Sequence, residues 1–271
     1  MKFLFDKNKL QKIATELSSM YINNSPYPHC VIDNFLEDPI IEKIHQDFPK
    51  EDQIQYYKYN NPLEKKLAMD NLELLPDSIT EVLLNFNSPN FLNFLEKLTG
   101  IEGLIPDPYL RGGGIHKSPK GGKLDIHIDF NIHPKLNLER RINILLYLNK
   151  DWKEEYNGDF QLWKGKKENE THILEKLEKK IYPIFNRLVI FNTSENSYHG
   201  FPQLIECPEG IFRNSLALYY YTANKTSIEA KRHSTVYVKL PGEDDGLDLL
   251  REQRKLGRIA SDQEVKNIYK L

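Results

Sequence analysis

Eight histidines are spread along the 271-residue chain, and His127 stands two residues before an aspartate on an alternating apolar stretch, in His127-Ile-Asp129. On an extended strand, residues i and i+2 fall on one side, about 6.5–7 Å apart. An imidazole and a carboxylate placed in this way can take adjacent positions on one metal ion. A single strand cannot wrap an ion, so a third ligand must come from elsewhere. The other histidines are His29, His45, His116, His133, His172, His199 and His233. His199 is the best placed, because it follows the apolar run 188–191 and precedes Gly200, which permits a turn directly after a ligand. His133 is closer in sequence but precedes Pro134 in a loop-like stretch, and is the alternative. The plain reading of the pair alone is a surface strand carrying two polar residues.

Two histidines and one carboxylate on one side of an octahedral metal leave three positions open. That ligand set is diagnostic of non-haem Fe(II) oxygenases. Downstream, Arg213 leads the apolar run 213–222, with Ser215 two residues on.

Taken together, His127-Ile-Asp129, Tyr198-His199-Gly200 and Arg213-Asn-Ser215 resemble the 2-oxoglutarate and Fe(II)-dependent oxygenase superfamily, in its prolyl 4-hydroxylase-like branch. The likeness spans about residues 109–222. The family pattern is His-x-Asp, a distal His, and a basic residue ten or more positions later. Arg213 comes fourteen positions after His199, and a small loop insertion at 203–210 accounts for the length. A segment of the form Pro26-Tyr-Pro-His-Cys-Val-Ile-Asp-Asn-Phe35 is also common among relatives. The resemblance implies a double-stranded β-helix (jelly roll) with Fe(II) held by His127, Asp129 and His199. It implies 2-oxoglutarate as cosubstrate, O2 as oxidant and ascorbate as an accessory reductant. The implied reaction is hydroxylation of an unactivated C–H bond, coupled to oxidative decarboxylation of 2-oxoglutarate to succinate and CO2. Asp129 speaks against a halogenase, since related halogenases lack the carboxylate to make room for chloride.

2-Oxoglutarate is a dianion. Its 1-carboxylate and 2-oxo group are expected on the metal, and its 5-carboxylate needs a buried cation. Arg213 offers a planar fork for bidentate pairing, and Ser215 on the same strand face can donate a hydrogen bond. Asn143 and Tyr147 share a side with Arg141, expected to be the pocket side. They are either polar contacts to the cosubstrate or a structural Asn and a core Tyr. Tyr219 and Tyr221 have the parity of Arg213 and are candidates to line the barrel.

These residues need elements to position them. Residues 1–108 read as a mainly helical region packing on the core. Asp38-Pro39 opens one helix to about Phe48, and Ser88-Pro89 opens another that Gly100 stops. From about residue 109 the pattern changes to short runs of period two. In 124–129, Leu124, Ile126 and Ile128 face one way while Asp125, His127 and Asp129 face the other. Strands are expected at 141–148, 159–163, 188–191 and 213–222. Many short strands with Gly, Pro and Asn punctuation argue for a sandwich or jelly roll. The fold class is therefore mainly β with helical N-terminal support (α+β), with the catalytic core at 109–224 and a polar extension at 225–271, all in one compact domain. The charged stretch 164–180 is expected to be a surface insertion with a short helix. Residues 232–240 are expected to add an edge strand, 247–256 a helix, and 243–245 a solvated loop.

Net charge is −2, so no global basic field points to nucleic acid or an anionic membrane. No apolar run approaches the ~20 residues that span a bilayer. The start, Met1-Lys-Phe-Leu-Phe-Asp6, turns charged at once. Cys30 and Cys207 read as reduced structural thiols, and the expected location is cytoplasmic. Asn169-Glu-Thr171 and Asn192-Thr-Ser194 match a glycosylation pattern that needs a secretory route. The partners expected are 2-oxoglutarate and one substrate, either a peptidyl proline or a small molecule such as a sugar or lipid precursor. A non-enzymatic jelly-roll binding module is the remaining alternative. The aromatic and charged stretch 56–66 is a candidate lid, or an ordinary surface loop. Arg111-Gly-Gly-Gly114 and 117–123 are candidates for a flexible rim.

Overall fold

A computed structural model describes residues 4–169, 171–223 and 233–255. Met1–Phe3, Glu170, Asn224, Arg232 and Leu256, which bound several of the expectations above, lie outside the described residues.

The first hundred residues alternate helix and strand. Their elements are α1 (Lys7–Asn23), β1 (His29–Asp33), α2 (Asp38–Gln46), β2 (Tyr57–Asn61), β3 (Glu64–Met69), α3 (Asp77–Phe86) and α4 (Pro89–Thr99). Eleven further elements follow among the described residues. They are β4 (Ile105–Pro106), β5 (Gly114–Ser118), β6 (Lys123–Ile128), β7 (Glu139–Tyr147), β8 (Phe160–Glu168), β9 (Thr171–Ile181), β10 (Arg187–Asn192), β11 (Tyr198–Phe201), β12 (Arg213–Thr222), β13 (Val236–Tyr237) and α5 (Asp248–Lys255). The N-cap of α2 is Glu37, one residue earlier than the sequence implies, with Pro39 in the first turn. Helix α4 ends where expected, because Gly100 adopts φ +72°.

The strands form one antiparallel ladder in the order β1-β10-β7-β12-β5-β3-β6-β11-β8-β9. It is curled as a half-barrel, as expected for a jelly-roll core. Strand β3 pairs with both β5 and β6, and so carries the ladder from one wall to the other. Strict alternation splits the first wall. Ile142, Ile144, Leu146, Leu188, Ile190, Leu216 and Leu218 pack against the N-terminal helices in the largest hydrophobic cluster. Their neighbours Tyr147, Val189 and Phe191 turn inward and meet Phe160 and Leu162 of β8 across the barrel. The helices thus seal one face of the sheet and leave the other to build a site.

Three local expectations change. The described residues of 164–180 form no helix: β8 and β9 pair as a long hairpin, with Asn169 at φ +47° after the first strand. Its Lys and Glu side chains pair mostly with each other in solvent, which explains a charged stretch in regular structure. Residues 56–66 form no free lid, because β2 and β3 are a hairpin built into the sheet. Part of the rim is likewise strand β5 and the tight turn at Gly121. No described helix is long and apolar enough to cross a membrane.

Phe91 is fully buried and its ring lies against Phe5, Phe86, Phe94 and Tyr220, tying α4 to the sheet. Phe91→Ala leaves a cavity there. We expect it to lower the unfolding free energy by about 3–5 kcal/mol in urea titrations followed by circular dichroism.

Candidate metal centre

Antiparallel pairing of β11 with β6 sets His199 directly opposite His127. The two imidazole rings lie 4.4 Å apart, centre to centre. Asp129 follows the end of β6. Its Oδ1 is 3.7 Å from His127 Nε2, and its Oδ2 is 3.4 Å from His199 Nε2. The ligand atoms of all three residues fall within 4.8 Å of one another.

The tautomers fit a metal. His127 Nδ1 faces the carbonyl of Asp125 at 2.9 Å, and His199 Nδ1 faces the carbonyl of Ser197 at 2.7 Å. A carbonyl only accepts, so both Nδ1 atoms carry the proton. Both Nε2 lone pairs are then turned toward Asp129, ready for an ion. Burial, followed by His199, lowers the pKa of His127, which keeps it neutral. Burial works to raise Asp129, but the Arg140 guanidinium holds the carboxyl well below its usual range. Two imidazoles that present Nε2 and one ionised carboxylate are the donor set a divalent iron needs.

Gly200 has a different role from the one its position implied. It lies inside β11, and a Cβ on it would come within 2.7 Å of the Leu124 carbonyl oxygen and 2.8 Å of that of Asp125. Those carbonyls belong to a β-bulge in β6, where an advance of two positions along β11 (His199 to Phe201) is matched by three along β6 (His127 to Leu124). The bulge reverses parity before His127. Leu124 turns into the pocket, and Asp125 leaves the ligand face to pair with Lys123 at 2.7 Å.

A second register shift changes the role of a neighbour. Between Tyr220 and Tyr221 one residue of β12 advances against two of β7, so Arg140 takes the inward place expected of Arg141. Arg140 is buried, sandwiched between Tyr219 and Phe130, with its Nη2 at 3.3 Å from Asp129 Oδ2. Its Nε donates to Asn143 Oδ1 at 2.9 Å, and Asn143 Nδ2 donates to Asp129 Oδ2 at 2.7 Å. Asn143 therefore faces the pocket as expected, but its bond is to the ligand carboxylate.

Arg213 stands at the far end of the same cavity, fully covered. Its Nε donates to the carbonyl of Gly158 at 2.7 Å and its Nη2 to the Tyr147 hydroxyl at 3.1 Å. The guanidinium stacks over Phe201 at 4.2 Å. Burial lowers its pKa, with Tyr147 opposing the shift. Ser215 is buried on the same face of β12, directly opposite Tyr147. Tyr147 thus reaches Arg213, and Tyr219 bonds the Gly112 carbonyl at 2.8 Å. Tyr221 instead packs on His133, which sits 3.4 Å from Asp107 and away from the ligands.

The cavity encloses about 180 Å³ between Arg213 and the ligands. Tyr237 and Arg254, which enter from β13 and α5, carried no sequence signal of their own, and His116 of β5 was one histidine among eight; Glu64 and Lys66 come from β3, within the stretch 56–66 expected at the mouth. An Arg140-Arg141 doublet heading an apolar strand was the one visible hint.

The comparisons with known proteins agree with this geometry. Residues 113–221 match the family model of the 2OG-Fe(II) oxygenase superfamily, and the match contains His127, Asp129, His199 and Arg213. The chain is 26% identical over 208 residues to prolyl 3-hydroxylase OGFOD1 of Mus musculus, across 76% of this chain. It spans about a third of that curated relative, 34% of its length. The fold is similar to a prolyl hydroxylase from Trichoplax adhaerens in complex with a hypoxia inducible factor peptide fragment. That likeness has a TM-score of 0.58 at 18% identity, covering 83% of this chain and 96% of that one. It is also similar to HygX from Streptomyces hygroscopicus with nickel, 2-oxoglutarate and hygromycin B bound, at TM-score 0.52 and 13% identity over 83% and 96% of the two chains. Residues 113–221 thus carry the match to the 2OG-Fe(II) oxygenase superfamily, which makes the site that of an Fe(II)- and 2-oxoglutarate-dependent oxygenase.

Two predictions follow from these contacts. Asn143→Ala frees Asp129 Oδ2 and is expected to weaken Mn(II) or Co(II) binding about 10–100-fold in calorimetric titration, with the circular dichroism spectrum unchanged. The second concerns His116, whose pKa is pushed down to about 3 by burial first and Lys66 second. The unfolded chain takes up this proton near pH 6.5, about its unperturbed value, before the folded one does. Stability is therefore whole above that pH and is lost as pH falls toward the folded value. The melting temperature of metal-free protein should drop between pH 7 and pH 5, and His116→Asn should flatten that slope.

Proposed function

We propose that this chain is a 2-oxoglutarate-dependent Fe(II) hydroxylase acting on proline within a peptide. The observation that carries the reading is the shape of the cleft beyond the ligands. The metal cavity opens into an outer chamber of about 430 Å³, and the two share Tyr59, Gly112, Phe130, Thr235 and Arg254. Tyr57, Tyr59 and Phe130 give the chamber aromatic walls suited to a peptide and a proline ring. The prolyl hydroxylases among the similar proteins point the same way.

In this reading His127, Asp129 and His199 hold the iron, with their proton and hydrogen-bond partners already set by Asp125, Ser197 and Asn143. Arg213 and Tyr147 receive the 5-carboxylate of 2-oxoglutarate, and Ser215 contributes a hydroxyl. Iron with 2-oxoglutarate and O2 supplies the oxidation of an unactivated C–H bond, with succinate and CO2 as co-products. Phe160, Phe191 and Phe201 keep water from the inner side of the centre.

A second reading, hydroxylation of a small polar molecule, draws on the hygromycin B held by the similar structure of HygX and on the modest inner cavity. Product analysis separates the two.

Purified protein with Fe(II) and ascorbate should convert 2-oxoglutarate to succinate, and proline-containing peptides should gain one oxygen in mass spectra. His127→Ala or Asp129→Ala should abolish both while preserving the fold. Arg213→Met should raise the KM for 2-oxoglutarate about 10–100-fold, the cost of a lost charge-assisted pair. Wild-type protein that bound neither Fe(II) nor 2-oxoglutarate would refute the assignment.

A further inference from the structure

The charges on the cavity wall do not cancel. Among the described residues four cations line it, Lys66, Arg140, Arg213 and Arg254, against two carboxylates, Glu64 and Asp129. Loading the site leaves this difference unchanged, because a divalent iron and a 2-oxoglutarate dianion carry equal and opposite charge. His127 and His199 add nothing once they hold the metal, since an imidazole that coordinates is neutral, and burial keeps His116 neutral. The outer chamber adds Arg111 and Asp70, which offset each other.

The surplus has a location. Arg213 is committed to the cosubstrate end, where Tyr147 and Gly158 hold it. Glu64, with only 3% of its side chain exposed, is shared by Arg254, which hydrogen-bonds its Oε1, and Lys66, 3.5 Å from its Oε2. One carboxylate thus faces two cations at the mouth. Arg140 has its Nη2 buried without a hydrogen-bond partner, 3.3 Å from a carboxylate that iron also claims. Lys66 and Arg254 keep only 16% and 22% of their side chains exposed, and such partly desolvated cations attract an anion more strongly than they would in water, so a group that enters the pocket can supply it.

Resting on the prolyl reading, we propose that the substrate presents a carboxylate beside the oxidised residue, so that the preferred peptide is acidic next to its proline. Lys66 and Arg254 select for it. Both lie outside residues 113–221, in the hairpin β2–β3 and the C-terminal helix α5, so the substrate's charge is read by parts of the chain that flank the matched oxygenase segment.

The test uses full-length protein loaded with Mn(II) and 2-oxoglutarate under nitrogen. Binding of blocked dipeptides X-Pro is measured by calorimetry, with X as Glu, Gln or Lys, beside the matched X-Ala series. Glu is expected to bind about tenfold tighter than Lys, with Gln between them, and added salt should shrink the difference. Lys66→Gln, which leaves the Glu64–Arg254 pair intact and so spares the fold, should narrow the Glu-over-Lys ratio several-fold. Equal binding, the reverse order, an unaltered ratio in Lys66→Gln, or no binding by the Glu peptides overturns the proposal. The Ala series reports on proline separately. A Glu preference that persists with Ala in place of Pro upholds the charge selection and refutes the prolyl reading, whereas proline dependence without charge preference does the opposite.

Discussion

A carboxylate and two imidazoles must be held within a few ångströms of one another, desolvated and in fixed protonation states, before any metal arrives. The rest of the molecule answers to that constraint. Burying Asp129 as an anion is costly on its own. Arg140 and Asn143 offset the cost, the first with a guanidinium 3.3 Å from Oδ2 and the second with an amide N–H donated to it. The histidines are fixed by backbone carbonyls two residues earlier on the chain, Asp125 for His127 and Ser197 for His199. Such contacts are as rigid as the strands that present them, which is why the ligands stand on strands or their ends.

The sheet can present them because its outer face is closed elsewhere. Phe5, Phe35, Phe86, Phe91 and Phe94 fill the space between the helices and the first wall. That packing leaves the inner face free of the need to bury apolar surface. The alternation along β7, β10 and β12 then divides labour residue by residue: even-numbered apolar side chains go to the helices, while Asn143, Tyr147, Arg213 and Ser215 go to the cavity. Two bulges adjust the aim. One lets β6 pass close to Gly200, where any side chain would collide with backbone oxygen. The other exchanges Arg141 for Arg140 beside the metal carboxylate.

The flanking segments close the cleft. Tyr237 pairs in register with His127 through β13, and α5 brings Arg254 onto Glu64 of the hairpin. Residues nearly two hundred positions apart in the chain thereby share one wall. This arrangement gives the site a rim whose chemistry is independent of the ligand set, so substrate choice can vary while the metal chemistry stays constant.

The sequence by itself determined the reactive groups. The His-x-Asp spacing, the histidine after an apolar run and the arginine heading another are local facts, and strand periodicity of two is strong enough to put His127 and Asp129 on one side and to pair Arg213 with Ser215. It also carried the strand at 213–222 and the stop of α4 at Gly100, because alternation and a left-handed glycine are written in neighbouring residues. Only the tertiary structure decided which arginine reaches Asp129, why Gly200 is glycine, and that β8 and β9 pair as a hairpin. It alone brought Tyr237 and Arg254 to the pocket. Bulges and registers belong to pairs of strands, and each depends on a partner distant in the chain. Periodicity within one segment holds no information about where that partner slips by a residue.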